Sequence, residues 1–308
     1  MFTETNILTR GAVIDYASKK LVQLDGRVLK TGFDDWDRAC DETGQRGLGD
    51  WWYVLVGGAS NSGKTQLLRH LARRAIDSDY VPAIITMEVS AHGLQRHYYS
   101  DITTFGYYDL LPHAWMDGEK DSMDKLDDLM KQVEDYSVMG TRCLIVVEAE
   151  GRPEISQIVE EAYRLQEAGI THLFIDHAQL IKAPRGMDIA AAAEELSENM
   201  RIFAHQKQCC TFMASQLNRS ASAQRDRKPT MHDLWGGTAM ESNANQVVLL
   251  DSSRNERDMQ RPHLLKTWLL LDKNREGPAK VEIPVEVNFR TGLWRQADED
   301  EIAQDLWP

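Results

Sequence analysis

The segment from residue 51 to residue 72 constrains the fold more than any other part of the chain. An apolar stretch at 51–57 is followed by Gly58-Ala59-Ser60-Asn61-Ser62-Gly63-Lys64-Thr65 and then by a helix-like stretch at 66–72. A strand, a turn with Gly-x4-Gly-Lys-Thr spacing and a helix are the parts of a P-loop, or Walker A motif. Its backbone N–H groups and the helix N-terminus surround phosphate oxygens. The segment therefore predicts binding of ATP or another nucleoside triphosphate.

Composition limits the class of protein. The chain has 308 residues, 42% hydrophobic and 27% charged, which is enough to build a core in one large or two modest domains. It has no apolar run of ~18 residues and no basic, apolar leader at residues 1–6, so we expect a cytoplasmic protein, in the host cytoplasm if it is viral. Its four cysteines show no metal-ligand spacing: Cys40, Cys143, Cys209 and Cys210. The net charge of −13 argues against adhesion of the whole surface to nucleic acid, but not against a local basic track.

Strand-like and helix-like segments alternate from residue 31 onward. Several of the strand candidates are continuous apolar runs, as expected of parallel strands buried on both faces. The strand candidates are 53–56, 83–87, 143–147, 173–176, 212–215, 246–250 and 268–271, with a hairpin-like edge at 281–288 and 292–294. Helix candidates include 123–136, 154–167 and 190–205. The pattern predicts an α/β fold with a mostly parallel sheet flanked by helices.

Three regions are expected along the chain. Residues 1–30 are predicted to be an N-terminal linker, with a helix at 11–25 that carries Ile14, Ala17, Leu21 and Leu24 on one face. Whether this helix docks on its own domain or on a neighbour stays open. Residues 31–295 are predicted to form the single main domain. Residues 296–308 form an acidic tail that either solubilises the chain or docks on a partner.

Three polar residues end predicted strands and are candidates for the chemistry. Asp176 follows an apolar strand, at the sheet edge where ligands bind in α/β folds, and is expected to help hold Mg²⁺ with Thr65. The alternative for Asp176 is a helix N-cap. Glu88 ends another strand and is a candidate general base, with a solvated strand-end carboxylate as the alternative. Gln216 ends a third strand and is either a γ-phosphate sensor or a loop-packing residue.

Five segments in a fixed order resemble the motifs of DnaB-type replicative helicases, whose motor is a RecA-like P-loop ATPase domain. Three of them resemble the opening segment of that domain, the stretch with the catalytic glutamate and the Asp-Tyr-Leu-Gln Walker B stretch. The other two resemble the Ser-Gln-Leu-Asn-Arg and Lys-x-Arg-x-Gly motifs. The five segments are residues 31–37, 86–91, 175–180, 215–220 and 273–277.

The resemblance implies roles for single residues. It implies that Glu88 is the catalytic base, Asp176 the Walker B carboxylate and Gln216 the sensor. It also implies that Lys273 and Arg275 act on the ATP site of an adjacent subunit in a homo-oligomer, expected to be a hexameric ring. The implied nucleotide contacts are Gly58, Ser60, Asn61, Ser62, Gly63, Lys64, Thr65, Gln66 and Asp176, with Lys64 also counted as catalytic.

The family's DNA-binding loops follow the Walker B strand and the Ser-Gln-Leu-Asn-Arg strand. Here the second loop, residues 219–240, carries the basic cluster of the chain. Trp235 and Gly236 stand where the family has arginine and glutamate, and stacking on a base or packing against a neighbouring subunit are both open for Trp235. His177 stands in the family's tyrosine position and is expected to be a packed neighbour of the site. The implied single-stranded DNA contacts are Arg219, Arg225, Arg227, Lys228, Trp235, Gly236 and Gly237.

The resemblance favours an ATP-driven, ring-forming translocase on single-stranded DNA that serves as a replicative helicase motor. Two other functions stay open: a recombinase-like ATPase that forms filaments on DNA, and a nucleotide-gated scaffold of a replication complex. We expect no counterpart of the family's N-terminal domain, so contacts with a primase, polymerase, loader or single-strand-binding protein are expected to be made differently. No membrane partner is expected.

Overall fold

A computed structural model of the chain describes residues 2–6, 28–40, 46–103, 105, 107–111, 120–137, 143–218, 227–257, 264–289 and 292–297. The predicted helix at 11–25 and the acidic tail from residue 298 onward lie outside the described residues. Among the residues described, no helix combines the length and the apolar character that a membrane crossing needs.

The described strands form one ten-stranded sheet with the order β1-β4-β3-β5-β6-β2-β7-β8-β9-β10. The six strands from β4 to β7 in this order are parallel to one another, and both edges are antiparallel. The strands are β1 Phe2–Asn6, β2 Tyr53–Gly58, β3 Pro82–Thr86, β4 Ile145–Ala149, β5 His172–Asp176, β6 Cys210–Gln216, β7 Gln246–Arg257, β8 Leu264–Asn274, β9 Val281–Asn288 and β10 Trp294–Gln296. The predicted α/β class with a mostly parallel sheet is confirmed.

Helices cover both faces of the sheet. They are α1 Asp34–Ala39, α2 Lys64–Asp77, α3 Ala91–Ile102, α4 Lys120–Ser137, α5 Ile155–Glu167, α6 Ile189–Lys207 and α7 Gly237–Asn243. Because side chains alternate along a strand, β2 supplies both cores. Val54 and Val56 pack in the core that contains α2, while Tyr53 and Leu55 pack in the core that contains α5 and α6. This two-sided burial explains the continuous apolar runs in the sequence.

The structure lengthens most predicted elements and adds others. Strands predicted at 246–250 and 268–271 continue as the long antiparallel pair β7 and β8. The N-terminal strand β1 pairs with β4 at the sheet edge, and helix α3 follows β3, neither of which the sequence pattern indicated. All four cysteines are buried and free, and Cys210 begins β6.

Two buried histidines make folding sensitive to acid. Burial lowers the pKa of His70 to about 4 and that of His172 to about 3, from an ordinary value of 6.5. Below pH 6.5 the unfolded chain takes up protons that the folded chain excludes. The free energy of unfolding should therefore fall by about 1.4 kcal/mol per histidine for each pH unit.

Urea denaturation at about pH 7.5 and about pH 5.5 tests this expectation. The variant His172→Phe should lose less stability between the two pH values than the wild type, because one buried titrating ring is gone. An equal loss in the two proteins would contradict the assignment of His172 to this effect.

Candidate active site

The carboxyl ends of four neighbouring parallel strands bring the predicted site residues to one edge of the sheet. Gly58 of β2 pairs with Gln216 of β6, and Thr86 of β3 pairs with Asp176 of β5. Since β5 and β6 are also neighbours, four features follow one another along that edge. They are the P-loop at residues 58–65, called the phosphate loop below, then Gln216, Asp176 and the turn after β3. Ligands of open α/β sheets bind at this edge.

Two glycines of the phosphate loop are required by geometry. A Cβ atom on Gly58 would lie 2.4 Å from Ser62 Oγ and 3.3 Å from Leu250 Cβ, so a side chain there would displace the loop. Gly63 has a φ of +98° and is the residue just before helix α2. Its left-handed backbone lets the chain turn from the loop directly into the helix, whose first residue is Lys64.

Lys64 is held inside the phosphate loop. Its Nζ donates hydrogen bonds to the carbonyl oxygens of Gly58 at 3.1 Å and Ala59 at 2.8 Å. Burial lowers the pKa of Lys64, while the carboxylates of Asp176 and Glu88 oppose this shift. A cation aimed at the centre of the loop is suited to phosphate groups.

Asp176 contacts Thr65 rather than capping a helix. Thr65 Oγ1 donates a hydrogen bond of 2.7 Å to Asp176 Oδ2, while Asp176 Oδ1 is buried without a hydrogen-bond partner. Burial raises the pKa of Asp176, and the bond from Thr65 opposes that shift. A hydroxyl and a carboxylate are hard oxygen ligands, and Mg²⁺ takes one or two such protein ligands beside substrate phosphates. The residues present therefore fit a magnesium ion.

A cleft of about 240 Å³ lies above the phosphate loop. It is lined by Ser60, Asn61, Ser62, Gly63, Lys64, Thr65, Gln66, Glu88, Gln216 and Phe289. All but Phe289 were predicted site residues. Phe289 follows β9, which runs in the same direction as β2 because two antiparallel pairings separate it from β7, so its end reaches the same edge. The sequence pattern does not reveal this strand order, and for that reason it does not predict Phe289 as a site residue.

The strand β3 ends at Thr86, so Glu88 lies in the turn after it and not at the strand end that the sequence predicted. This turn is fixed on two sides. Thr86 Oγ1 donates to the carbonyl oxygen of Val89 at 2.8 Å, and Val89 N donates back to Thr86 Oγ1 at 3.1 Å. Met87 N donates to the carbonyl oxygen of Asp176 at 2.7 Å. The Glu88 side chain itself is half exposed and faces the cleft, which leaves its carboxylate accessible to water.

Gln216 contacts the turn that follows Asp176. Its side-chain Nε2 lies 2.7 Å from Nε2 of His177, and its backbone N donates to Gln179 Oε1 at 3.1 Å. Gln179 Nε2 also donates to Ser215 Oγ at 2.8 Å. His177 is packed, as expected for a neighbour of the site, and it has in addition a polar contact with the candidate sensor.

Lys273 and Arg275 lie near the amino ends of the parallel strands, whereas the phosphate loop lies at their carboxyl ends. Asn274 pairs with Gln246, which pairs with Val54, whereas Gly58 lies four residues further along β2. The four-residue step from Val54 to Gly58 corresponds to about 13 Å along the strand. These two basic side chains are therefore remote from the phosphate loop of their own chain.

Both basic side chains contact the last turn of α7. Lys273 Nζ donates to the carbonyl oxygen of Glu241 at 2.5 Å, and Arg275 Nη2 donates to that of Ser242. Burial lowers the pKa of Lys273, and the neighbouring Arg275 acts in the same direction. Cations at a helix C-terminus are stabilised by the helix dipole.

The candidate DNA loop is anchored at both ends. Asn218 N donates to the carbonyl oxygen of Asp233 at 2.7 Å, and Trp235 N donates to that of Gln216 at 2.9 Å. Arg227 forms two hydrogen bonds of 2.6 Å with Asp233, and Lys228 pairs with Glu282. Gly236 lies at the end of the loop just before α7, and Gly237 is the first residue of that helix. Two predicted DNA contacts, Arg219 and Arg225, lie outside the described residues.

The phosphate loop at the end of β2, with Asp176 and Gln216 at neighbouring strand ends and Glu88 in the turn after β3, defines a RecA-like P-loop ATPase domain. The sequence model of the DnaB-like helicase C terminal domain matches residues 28–296. The chain belongs to this family.

Individual relatives agree with this assignment. The replicative DNA helicase DnaB of Helicobacter pylori strain 26695 is 24% identical over 198 residues, which are 64% of this chain and 39% of the relative. That of Leifsonia xyli is 31% identical over 137 residues, 43% of this chain and 28% of the relative. The chain thus spans about two fifths of the length of the Helicobacter pylori relative.

Solved structures share the fold. A solved ATPase domain matches with a TM-score of 0.70 at 15% identity, covering 94% of this chain and 99% of that chain. A DnaB-like replicative helicase described together with its interactions with primase matches with a TM-score of 0.69 at 15% identity, covering 93% of this chain and 66% of that chain.

Proposed function

We propose that the chain is the ATP-hydrolysing motor of a replicative helicase, which assembles as a ring and translocates on single-stranded DNA. The observation that carries this proposal is the separation of two sets of residues. The phosphate loop, Asp176, Glu88 and Gln216 lie at the carboxyl ends of the parallel strands, and Arg275 lies near their amino ends. A site completed by the Arg275 of a neighbour requires a head-to-tail assembly, which forms a ring when the rotation between neighbours closes and a filament when it does not. We propose the closed ring.

Hydrolysis in this site follows from the residues around the cleft. A water molecule attacks the γ-phosphorus of ATP, the bond to the β,γ-bridging oxygen breaks, and ADP and phosphate leave. Glu88 orients the water and accepts its proton, and Lys64 stabilises charge on the β- and γ-phosphates. Mg²⁺, when bound by Thr65 and Asp176, neutralises further phosphate charge.

Coupling to DNA is supported by the connections of the loop that follows Gln216. The backbone of Gln216 accepts a hydrogen bond from Trp235, and the loop between them carries the basic cluster. After Trp235 the chain continues into α7. Two carbonyl groups in the last turn of α7 accept hydrogen bonds from Lys273 and Arg275. Binding of a DNA strand by this loop would therefore affect the position of Gln216 in one subunit. Through α7 it would also affect Lys273 and Arg275, which act on the ATP site of the next subunit.

Translocation is tested by displacement of streptavidin from a biotin-ended single-stranded oligonucleotide, which does not require strand separation. We expect ATP-dependent release by the wild type and none by Lys64→Ala. Electron microscopy of the same samples should show closed rings. Filaments would favour the recombinase-like alternative, and turnover without displacement would favour the scaffold.

Phe289 is expected to stack on the nucleobase, because it is the aromatic residue in the lining of the cleft. The variant Phe289→Ala should weaken ATP binding by about 1–3 kcal/mol, or roughly 5- to 150-fold. The measurement is titration with a fluorescent ATP analogue, with Phe289→Tyr as a control that keeps the ring. Inorganic tripolyphosphate has no base, so its affinity should be the same in all three proteins. Equal losses for both ligands would contradict base stacking.

A further inference from the structure

His177 lies between two of the proposed catalytic groups. Its Nε2 is 2.7 Å from the Nε2 of Gln216 and 3.5 Å from the Oε2 of Glu88. The imidazole side chain is only 3% exposed, whereas Glu88 is half exposed. One buried ring nitrogen therefore faces both the candidate sensor and the candidate base.

This nitrogen serves one partner at a time. A neutral imidazole has one N–H, and Nδ1 of His177 is buried without a hydrogen-bond partner. A buried N–H without an acceptor is costly, so the hydrogen belongs on Nε2, where two acceptors are within reach. The amide of Gln216 then turns its oxygen to the ring, since amide nitrogen and oxygen occupy equivalent positions. Gln216 and Glu88 consequently compete for a single donor.

Gln216 is also mechanically linked to the candidate DNA loop. Its carbonyl oxygen accepts the hydrogen bond from Trp235, and its backbone N is held by Gln179, two residues after His177. Movement of the loop would therefore displace the end of β6, which carries the Gln216 side chain. His177 directly follows Asp176 and has no such connection to the loop through its own backbone, so its position relative to Asp176 would not change.

We propose that His177 is a positioning residue that couples Gln216 to Glu88. While Gln216 occupies Nε2–H, the Glu88 carboxylate lacks this donor. When Gln216 turns to the γ-phosphate, Nε2–H donates to Glu88 and fixes the direction in which the carboxylate meets the attacking water. The inference rests on the proposed function, and it assigns a role to the histidine that stands where the resembling family has tyrosine.

The test compares three variants in ATP turnover at saturating ATP. His177→Phe keeps a ring but removes its donor, and His177→Gln keeps a donor. His172→Phe is the matched control, because it makes the same change to a buried histidine at the other end of the same strand. We expect His177→Phe to lower kcat about tenfold to hundredfold. The dissociation constant for a fluorescent ATP analogue should stay close to the wild-type value, and His177→Gln should recover part of kcat.

A double-mutant cycle with Gln216→Ala decides whether the two side chains act together. If they do, the loss of kcat in the double variant differs from the product of the two single losses. Additive losses would overturn the proposal, as would a His177→Phe variant with the kcat of His172→Phe. The cycle uses turnover without DNA. A wild type that does not respond to single-stranded DNA would therefore refute the proposed function while the cycle still decided the role of His177.

Discussion

Replacing Arg275 with alanine is expected to lower ATP turnover by about 10³- to 10⁵-fold, the range measured for arginine fingers in other systems. Nucleotide binding should persist, because Arg275 lies near the opposite end of the parallel strands from the phosphate loop of its own chain. Ring assembly is also expected to persist. The physical reason for the loss is that a guanidinium brought to the γ-phosphate stabilises charge that develops in the transition state. Steady-state phosphate release, nucleotide titration and size-exclusion chromatography measure the three properties.

Mixing subunits tests whether Arg275 acts in trans. Arg275→Ala subunits retain Glu88, and Glu88→Gln subunits retain Arg275, so some interfaces of a mixed ring contain both intact groups. Turnover should reappear on mixing two inactive proteins. Arg38→Ala is a control, since Arg38 is an exposed arginine with ion pairs to Asp34 and Asp35 on its own helix. Normal turnover by Arg275→Ala alone would refute the trans assignment.

The variant Glu88→Gln is expected to lower kcat about 10²- to 10⁴-fold, the usual contribution of a general base. Glutamine keeps the size and the half-exposed position of the side chain but cannot accept the proton of water. Nucleotide affinity should change little, because Lys64 and the loop backbone hold the phosphates. Rapid-mix single-turnover kinetics separates the chemical step from nucleotide binding.

The companion variant Glu88→Asp keeps the charge and shortens the reach. We expect it to keep more turnover than Glu88→Gln, because a carboxylate one methylene shorter can still accept a proton through a displaced water. If Glu88→Gln hydrolysed ATP at the wild-type rate, the base would have to be another residue, and the role proposed for His177 would lose its target.

Much of this site could be predicted from the sequence because its parts are local. The phosphate loop is contiguous, Asp176 and Gln216 each end an apolar strand, and Glu88 lies two residues beyond the end of β3. In a parallel sheet, strand carboxyl ends meet at one edge, so the neighbourhood of these residues follows from the element order. The sequence separation of Thr65 and Asp176 did not prevent this prediction, since the rule concerns strand ends and not chain distance.

The remaining features depend on contacts between distant segments. Phe289 reaches the cleft because β8 and β9 extend the sheet beyond β7, an order that strand patterns do not reveal. The pairing of Arg227 with Asp233 offsets part of the positive charge of that stretch, although the sequence shows only a basic cluster. His177 and Gln216 are 39 residues apart in the sequence, and they meet because the neighbouring strands β5 and β6 end side by side. Side-chain partners of this kind are set by packing rather than by spacing.

The most direct test of a DNA-coupled motor is steady-state ATP turnover at low salt, with and without single-stranded DNA, using Lys64→Ala as the blank. We expect strong stimulation of the wild type by single strands and no turnover by the blank. The stimulation should weaken as salt rises, because phosphate contacts release counterions. Wild-type turnover that single-stranded DNA leaves unchanged would contradict coupling of ATP hydrolysis to DNA.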